Sequence, residues 1–192
     1  MGYLYTHRET SFCFNFDETF LVFFVMIKPV CIKDDYIINK GPEMTKILFI
    51  CHGNICRSAM SEFIMRDMIE KRGFSDKIQV ASAATSREEI GNDMYPPAKR
   101  KLDKEHIPYT RRQARQVTSS DYDKYDLLLC MEQYNIRNLK RIIPNDPKHK
   151  IHLLLDYTDN PRDISDPWYT GDFDTAYDDI AAGCRGLLEQ LI

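Results

Sequence analysis

The chain reads as an α/β protein: a small doubly wound domain whose parallel sheet is flanked by helices. Four short apolar runs, at residues 47–50, 78–81, 127–131 and 151–155, lack polar alternation, as strands covered on both faces do. Helical patterns lie between them and after the last, and such alternation supplies the crossovers of a parallel sheet. In open sheets of this kind ligands gather at the carboxyl ends of the strands.

Residues 1–43 stand apart from this pattern. Their apolar run 20–27 is too short to span a bilayer, is followed by Lys28 and Pro29, and is preceded by Glu9, Asp17 and Glu18 rather than a basic region with a cleavage site. The segment has no helix-period stripe, so it is read as an extension of doubtful function, a membrane or partner anchor being the alternative. Met44 opens MTKILFI, and residues 44–192 form the expected domain.

The first strand, 47–50, leads through a polar loop to a helix over 58–72, with Met60, Phe63, Ile64 and Met68 on one side and Gly73 as its stop. After the second strand, Pro96 and Pro97 open a helix over 96–105, prolines being tolerated in a first turn. A third helix is expected over 132–141. The last is the clearest: Phe173, Tyr177, Ile180, Cys184, Leu187, Leu188 and Leu191 recur every three or four residues, with Asp172 and Asp174 near the positive N-terminal end.

Charge and cysteine usage narrow the partners. A net charge of −3 leaves no global basic field for nucleic acid, and no lysine or arginine block suits an anionic membrane. The six cysteines have neither the paired spacing of a zinc site nor the density of a disulfide framework, and so read as reduced thiols of a cytoplasmic protein.

The loop after the first strand carries the chemistry. In CHGNICRS (51–58) a strand ends at Cys51 and Arg57 follows six positions later, where a helix begins. Backbone N–H groups and the helix dipole converge on an anion at such a junction. The G-x4-G-K-[ST] pattern of nucleotide-binding loops is absent, and Gly53 alone makes no dinucleotide fingerprint. Arg57 can hold two phosphate oxygens in a fork, and Cys51, at the floor of the N–H ring, lies where thiols ionise readily and face phosphorus. Gly53 permits close backbone approach, and Asn54 tolerates the left-handed conformation that a curled loop needs.

CHGNICRS, SAATS at 82–86, ARQVT at 114–118 and DPWY at 166–169 together resemble the low-molecular-weight protein tyrosine phosphatase family, over residues 44–192. The resemblance implies a four-stranded parallel sheet, a phosphate-binding loop after its first strand, phosphotyrosine-containing proteins as substrates, a cysteinyl-phosphate intermediate, no metal and no cofactor. A monomer or weak homodimer is expected. It further implies that Asp166, stiffened by Pro167, protonates the leaving group and then deprotonates the attacking water. His52, Gly53, Asn54, Ile55, Cys56 and Ser58 would surround the phosphate, with Ser58 donating toward the sulfur and Asn54 bracing the loop. Ser82 and His106 would extend that hydrogen-bond network, and Trp168 and Tyr169 would wall the cleft.

Rival chemistries fit less well. Arsenate reductases of similar architecture pass a disulfide outward, yet no second cysteine closely follows Cys130. Related arginine phosphatases carry a threonine where Ile55 stands, and Ile55 suits an aryl substrate. A phosphotyrosine-binding module without catalysis is expected to lack Cys51 or Asp166, and both are present. His52 lies at the pocket lip, a position the family varies. Cys56, required by no hydrolytic step, is read as a thiol that captures oxidised Cys51 in a reversible disulfide, with packing as the alternative.

Overall fold

The computed structural model describes residues 44–192; the expected extension, 1–43, lies outside the described residues. Four strands, β1 (Thr45–Cys51), β2 (Ile78–Ala84), β3 (Leu127–Cys130) and β4 (Ile151–Leu153), form one sheet in the order β2-β1-β3-β4. Every pairing is parallel. Among the described residues six α-helices accompany them: α1 (Arg57–Lys71), α2 (Pro96–Lys104), α3 (Asp121–Lys124), α4 (Gln133–Leu139), α5 (Pro167–Thr170) and α6 (Phe173–Leu191).

The core follows from the two-residue period of β1. Ile47 and Phe49 point to the face packed by α1 and α6, joining Phe63, Ile64, Ile180 and Leu187. Leu48 and Ile50 point to the other face, against Leu128, Val117, Leu139 and Ile143. All four β1 side chains are wholly buried, each worth about 1.5–3 kcal/mol of transfer free energy. Helices α1 and α6 cover the first face closely. The backbone of α6 runs so near the 3-10 turn Leu154–Tyr157 that a Cβ on Gly186 would sit 1.9 Å from the Tyr157 carbonyl oxygen.

The pairing register sets the site. Cys51 is level with Ala84 on one side, and Ile50 with Cys130 on the other, so three strands end together. The strand order reverses direction beside β1, which makes its carboxyl end a topological switch point.

Boundaries differ from expectation where side chains cap or redirect the backbone. The run 151–155 is a strand only to Leu153, because Asp156 turns back to accept a hydrogen bond from the Leu153 N–H (2.9 Å) and winds the chain into the 3-10 turn. β2 continues to Ala84, three residues past the apolar run. Glu132 stays extended, so α4 begins one residue later than expected and ends at Leu139. The short helices α3 and α5 carry no periodic stripe and were not expected. Among the described residues, no helix is long and apolar enough to cross a membrane.

Candidate active site

The loop 52–56 joins β1 to α1, and its carbonyls are tied outward. Those of Cys51, His52, Ile55 and Cys56 accept backbone N–H groups of Thr85, Ser86, Tyr95 and Met60 at 2.9–3.0 Å. The Asn54 carbonyl accepts from Arg112 Nη1 (2.5 Å). With those oxygens engaged, the N–H groups of His52, Gly53, Ile55 and Cys56 have no acceptor among the described residues, and such a set of donors has the chemistry to hold an anion. Asn54 adopts φ 60°, the left-handed turn that curls the loop.

Cys51 is buried at the floor, 3.0 Å from Ser58 Oγ and 3.3 Å from the Asn54 N–H, which donates to its sulfur. The Asn54 amide nitrogen donates to Ser58 Oγ and Ser82 Oγ, both at 2.9 Å, and Ser82 donates onward to Glu62 (2.6 Å). The expected Asn54, Ser58 and Ser82 are thus brought together. His106 is not: it is exposed just past the end of α2 in a left-handed conformation (φ 56°), its N–H bonded to the Asp103 carbonyl. A histidine committed to a helix-ending turn cannot reach the loop. Its expected place is taken by Arg112, whose Nη2 donates to Asn54 Oδ1 (2.7 Å) and Ser82 Oγ (3.0 Å). Burial pulls the Arg112 guanidinium below its ordinary value, against the opposing charges of Glu62 and Cys51.

Arg57 is the largest wholly buried side chain among the described residues. Nη1 donates to the Ile164 carbonyl (2.8 Å), and Nη2 to Glu132 (2.7 Å) and to Asp166. Burial disfavours its charge, but Cys51, Asp166 and Glu132 outweigh burial and hold it above the ordinary arginine value. Glu132 escaped the sequence reading because it looked like the start of a helix; its extended backbone instead turns the carboxylate to Arg57.

Asp166 comes to the same place from the other side. Its Oδ1 caps α5 by accepting the Trp168 N–H (3.1 Å), and Gly171 ends that single turn with φ 72°. Pro167 at the first helical position lacks the N–H that would go unpaired there.

Cys51, His52, Gly53, Ile55, Cys56, Arg57, Asp166, Trp168 and Tyr169 line one cavity of about 110 Å³, together with Glu88 and Glu89. One wall is aromatic: Trp168 is half exposed and lies 4.8 Å from Tyr95 between ring centroids, while Tyr169 is 82% exposed. Ordinary core packing therefore does not explain either residue. The same lining carries Glu88 and Glu89, with His52 Nε2 3.0 Å from Glu88. Glu89 lies so close that a Cβ on Gly53 would come within 3.2 Å of its Cγ, and the glutamate side chain would have to shift slightly to admit one. Neither glutamate was legible in sequence, since two carboxylates in a polar loop carry no pattern of their own.

Cys56 is buried beside the loop, its thiol pushed well above the ordinary range by burial first and then by the charges of Cys51 and Asp166. Cys130, wholly buried, is raised likewise by burial. Among the described residues no group of three or more histidine, cysteine or acidic side chains is placed to hold a metal ion.

Comparison with known proteins adds a second line of support. Residues 46–192 match the family model described as low molecular weight phosphotyrosine protein phosphatase. The low molecular weight protein-tyrosine-phosphatase YfkJ of Bacillus subtilis is 37% identical over 150 residues, covering 77% of this chain and 96% of the relative. Its crystal structure superposes with a TM-score of 0.74. The human low molecular weight phosphotyrosine protein phosphatase is 37% identical over 149 residues, covering 75% of this chain and 94% of the relative. A Drosophila arginine phosphatase structure is more distant, at 27% identity and a TM-score of 0.69, covering 76% of this chain and 96% of its own. A loop of N–H donors between β1 and α1, in a sheet and chain shared at this level with such relatives, has one consistent reading: the chain belongs to the low molecular weight phosphotyrosine protein phosphatase family.

Proposed function

We propose that this enzyme hydrolyses phosphotyrosine in proteins through a cysteinyl-phosphate intermediate, with residues 44–192 as the catalytic unit. The phosphoryl dianion enters the ring of loop N–H groups, its oxygens compete with Asp166 for Arg57, and the released Asp166 carboxylate takes up a proton from solvent and turns toward the leaving group. Cys51 sulfur attacks phosphorus, the P–O bond to tyrosine breaks, and Asp166 gives its proton to the departing phenolate oxygen. Water then attacks the phosphocysteine, losing a proton to Asp166 as the P–S bond breaks and inorganic phosphate leaves.

The observation that carries this reading is the convergence of Cys51, Arg57 and Asp166 on one small cavity, Arg57 and Asp166 being in direct contact. Ile55 and Trp168 give the mouth apolar surface suited to a phenyl ring. Parallel turnover of phosphotyrosine, phosphoarginine and arsenate tests it. Phosphotyrosine should be the preferred substrate by at least tenfold; preference for either of the others refutes the assignment.

Reversible oxidation belongs to the same proposal. Peroxide converts the Cys51 thiolate to sulfenic acid with release of hydroxide, and the Cys56 thiol attacks the sulfenic sulfur, its proton leaving with the hydroxyl as water, to close a disulfide. The high pKa of Cys56 protects it from being the first thiol oxidised. Once Cys51 is a neutral sulfenic acid, one of the charges raising Cys56 is gone. A thiolate-dependent enzyme of this kind fits a reducing compartment such as the cytoplasm. After peroxide and then reductant, wild type should recover and yield a Cys51–Cys56 linked peptide, while Cys56→Ser stays inactive; equal recovery without the peptide leaves Cys56 a packing residue.

A further inference from the structure

We infer that Arg112 is a positioning residue that sets the direction of every hydrogen bond behind Cys51, so that the Ser58 hydroxyl donates to the sulfur; this rests on the hydrolytic role proposed above. Guanidinium has five N–H donors, no acceptor, and does not deprotonate in proteins. Its Nη1 meets the Asn54 carbonyl at 2.5 Å and its Nη2 meets the Asn54 side chain at 2.7 Å. The side-chain atom facing Nη2 must therefore be the amide oxygen. That oxygen's second acceptor site is filled by the Arg115 N–H (3.2 Å), which also only donates.

With the amide so oriented, its nitrogen faces Ser58 and Ser82, and each of its two protons goes to one hydroxyl at 2.9 Å. Ser82 Oγ also accepts from Arg112 Nη2 (3.0 Å), so its own proton goes to Glu62, at 2.6 Å. Ser58 Oγ accepts from Asn54, leaving its proton for Cys51 Sγ at 3.0 Å; the alternative acceptor, the Ala83 carbonyl, is at 3.5 Å. Without Arg112 only the Arg115 N–H still opposes inversion of the amide, and an inverted amide would take the Ser58 proton onto its own oxygen and away from the sulfur.

The chain ends where charge appears. Sulfur is negative as the attacking thiolate and becomes negative again as the leaving group of the phosphocysteine. A fixed O–H donor stabilises both states at no cost of reorientation during the reaction. Arg112 also ties the left-handed Asn54 backbone, so the same fork holds loop shape and bond polarity. Only one arginine of the Arg111–Arg115 segment grips Asn54 with its guanidinium: Arg111 is exposed, and the Arg115 side chain pairs with Asp121 at 2.9 Å.

A double-mutant cycle tests the inference, because a merely structural role acts whether or not Ser58 has a hydroxyl. Arg112→Met keeps the stem and removes the donors. With wild-type Ser58 it should lower kcat on nitrophenyl phosphate about 10- to 100-fold, the scale of one or two charge-assisted hydrogen bonds, with KM and vanadate affinity within about threefold. In the Ser58→Ala background the same substitution should cost at least about threefold less, because only the tie to the Asn54 carbonyl is then lost. Arg112→Lys, a donor but not a fork, should recover part of the loss, and it replaces Arg112→Met in the cycle if that variant melts below the assay temperature. Equal losses in both backgrounds, or a wild-type kcat in Arg112→Met, overturn the inference. The rate of Cys51 alkylation by iodoacetate at neutral pH provides the same cycle without turnover. If the wild type hydrolyses no phosphomonoester, the proposed function fails, and the alkylation cycle still decides the role of Arg112.

Discussion

Asp166→Asn isolates proton donation from the structural duties of the same residue. Asparagine retains an oxygen to accept the Trp168 N–H, now 3.1 Å from Asp166 Oδ1, so the cap of α5 survives. The ion pair with Arg57 is lost, but Glu132 remains 2.7 Å from the guanidinium, so the buried charge keeps one carboxylate. The stability loss should therefore stay near that of one charged hydrogen bond, about 1–3 kcal/mol, and Asp166→Ala should lose about 1 kcal/mol more through the cap. Catalysis should suffer more than stability. A positioned general acid is worth about 10²–10⁴ in rate, or about 3–5 kcal/mol of barrier, when the leaving oxygen is basic. Asp166→Asn should thus lower kcat on phosphotyrosine by two to four orders of magnitude. On nitrophenyl phosphate, whose oxygen departs with little protonation, the loss should be at least tenfold smaller. Paired kcat measurements with a thermal melt decide it. Equal fractional losses on both substrates in a folded variant would falsify the acid role and leave Asp166 only a partner of Arg57.

Other expectations follow from the same geometry. Cys51→Ser should abolish turnover while vanadate still binds, because the loop N–H groups and Arg57 remain; measurable turnover refutes covalent catalysis. Arg57→Lys should lose at least about a hundredfold in kcat/KM, since one ammonium cannot meet the Ile164 carbonyl, Glu132 and a phosphate together. Gly186→Ala gains about 1 kcal/mol of helix propensity yet forces a methyl against the Tyr157 carbonyl, so a net destabilisation of about 1–3 kcal/mol should appear in thermal melts, and an unchanged melt contradicts the packing of α6. A protein beginning at Met44 should keep the full kcat/KM; an insoluble or inactive product moves the domain boundary upstream.

What sequence made legible was whatever a short-range pattern can encode. The unalternating run Ile47–Ile50 declared a strand buried on both faces, and the stripe on α6 declared its core side, because those patterns are the packing itself. Cys51, Gly53, Asn54 and Arg57 were legible because one loop contains them all. Contacts made across the fold were not. Arg112 sits in a segment with Arg111 and Arg115, and which arginine turns inward depends on how the chain leaves α2. The family resemblance put His106 in this network, but its left-handed turn spends it on ending a helix. Leu154 and Leu155 read as strand by composition, and a single side chain, Asp156, overrode that preference.

The reach of Arg57 bears on how the molecule assembles. Its acceptors are Glu132, 75 residues away, the Ile164 carbonyl, 107 residues away, and Asp166, 109 residues away. A partly folded chain in which β1, α1 and β2 have docked without the C-terminal third would lack all three acceptors, and with them about 1.5–3 kcal/mol for each hydrogen bond to the charged guanidinium. That intermediate is penalised by the residue proposed to bind phosphate. Closing of the C-terminal segment over the loop and completion of the pocket are then one event, and the domain should gain its affinity for phosphate only in the last cooperative step of folding.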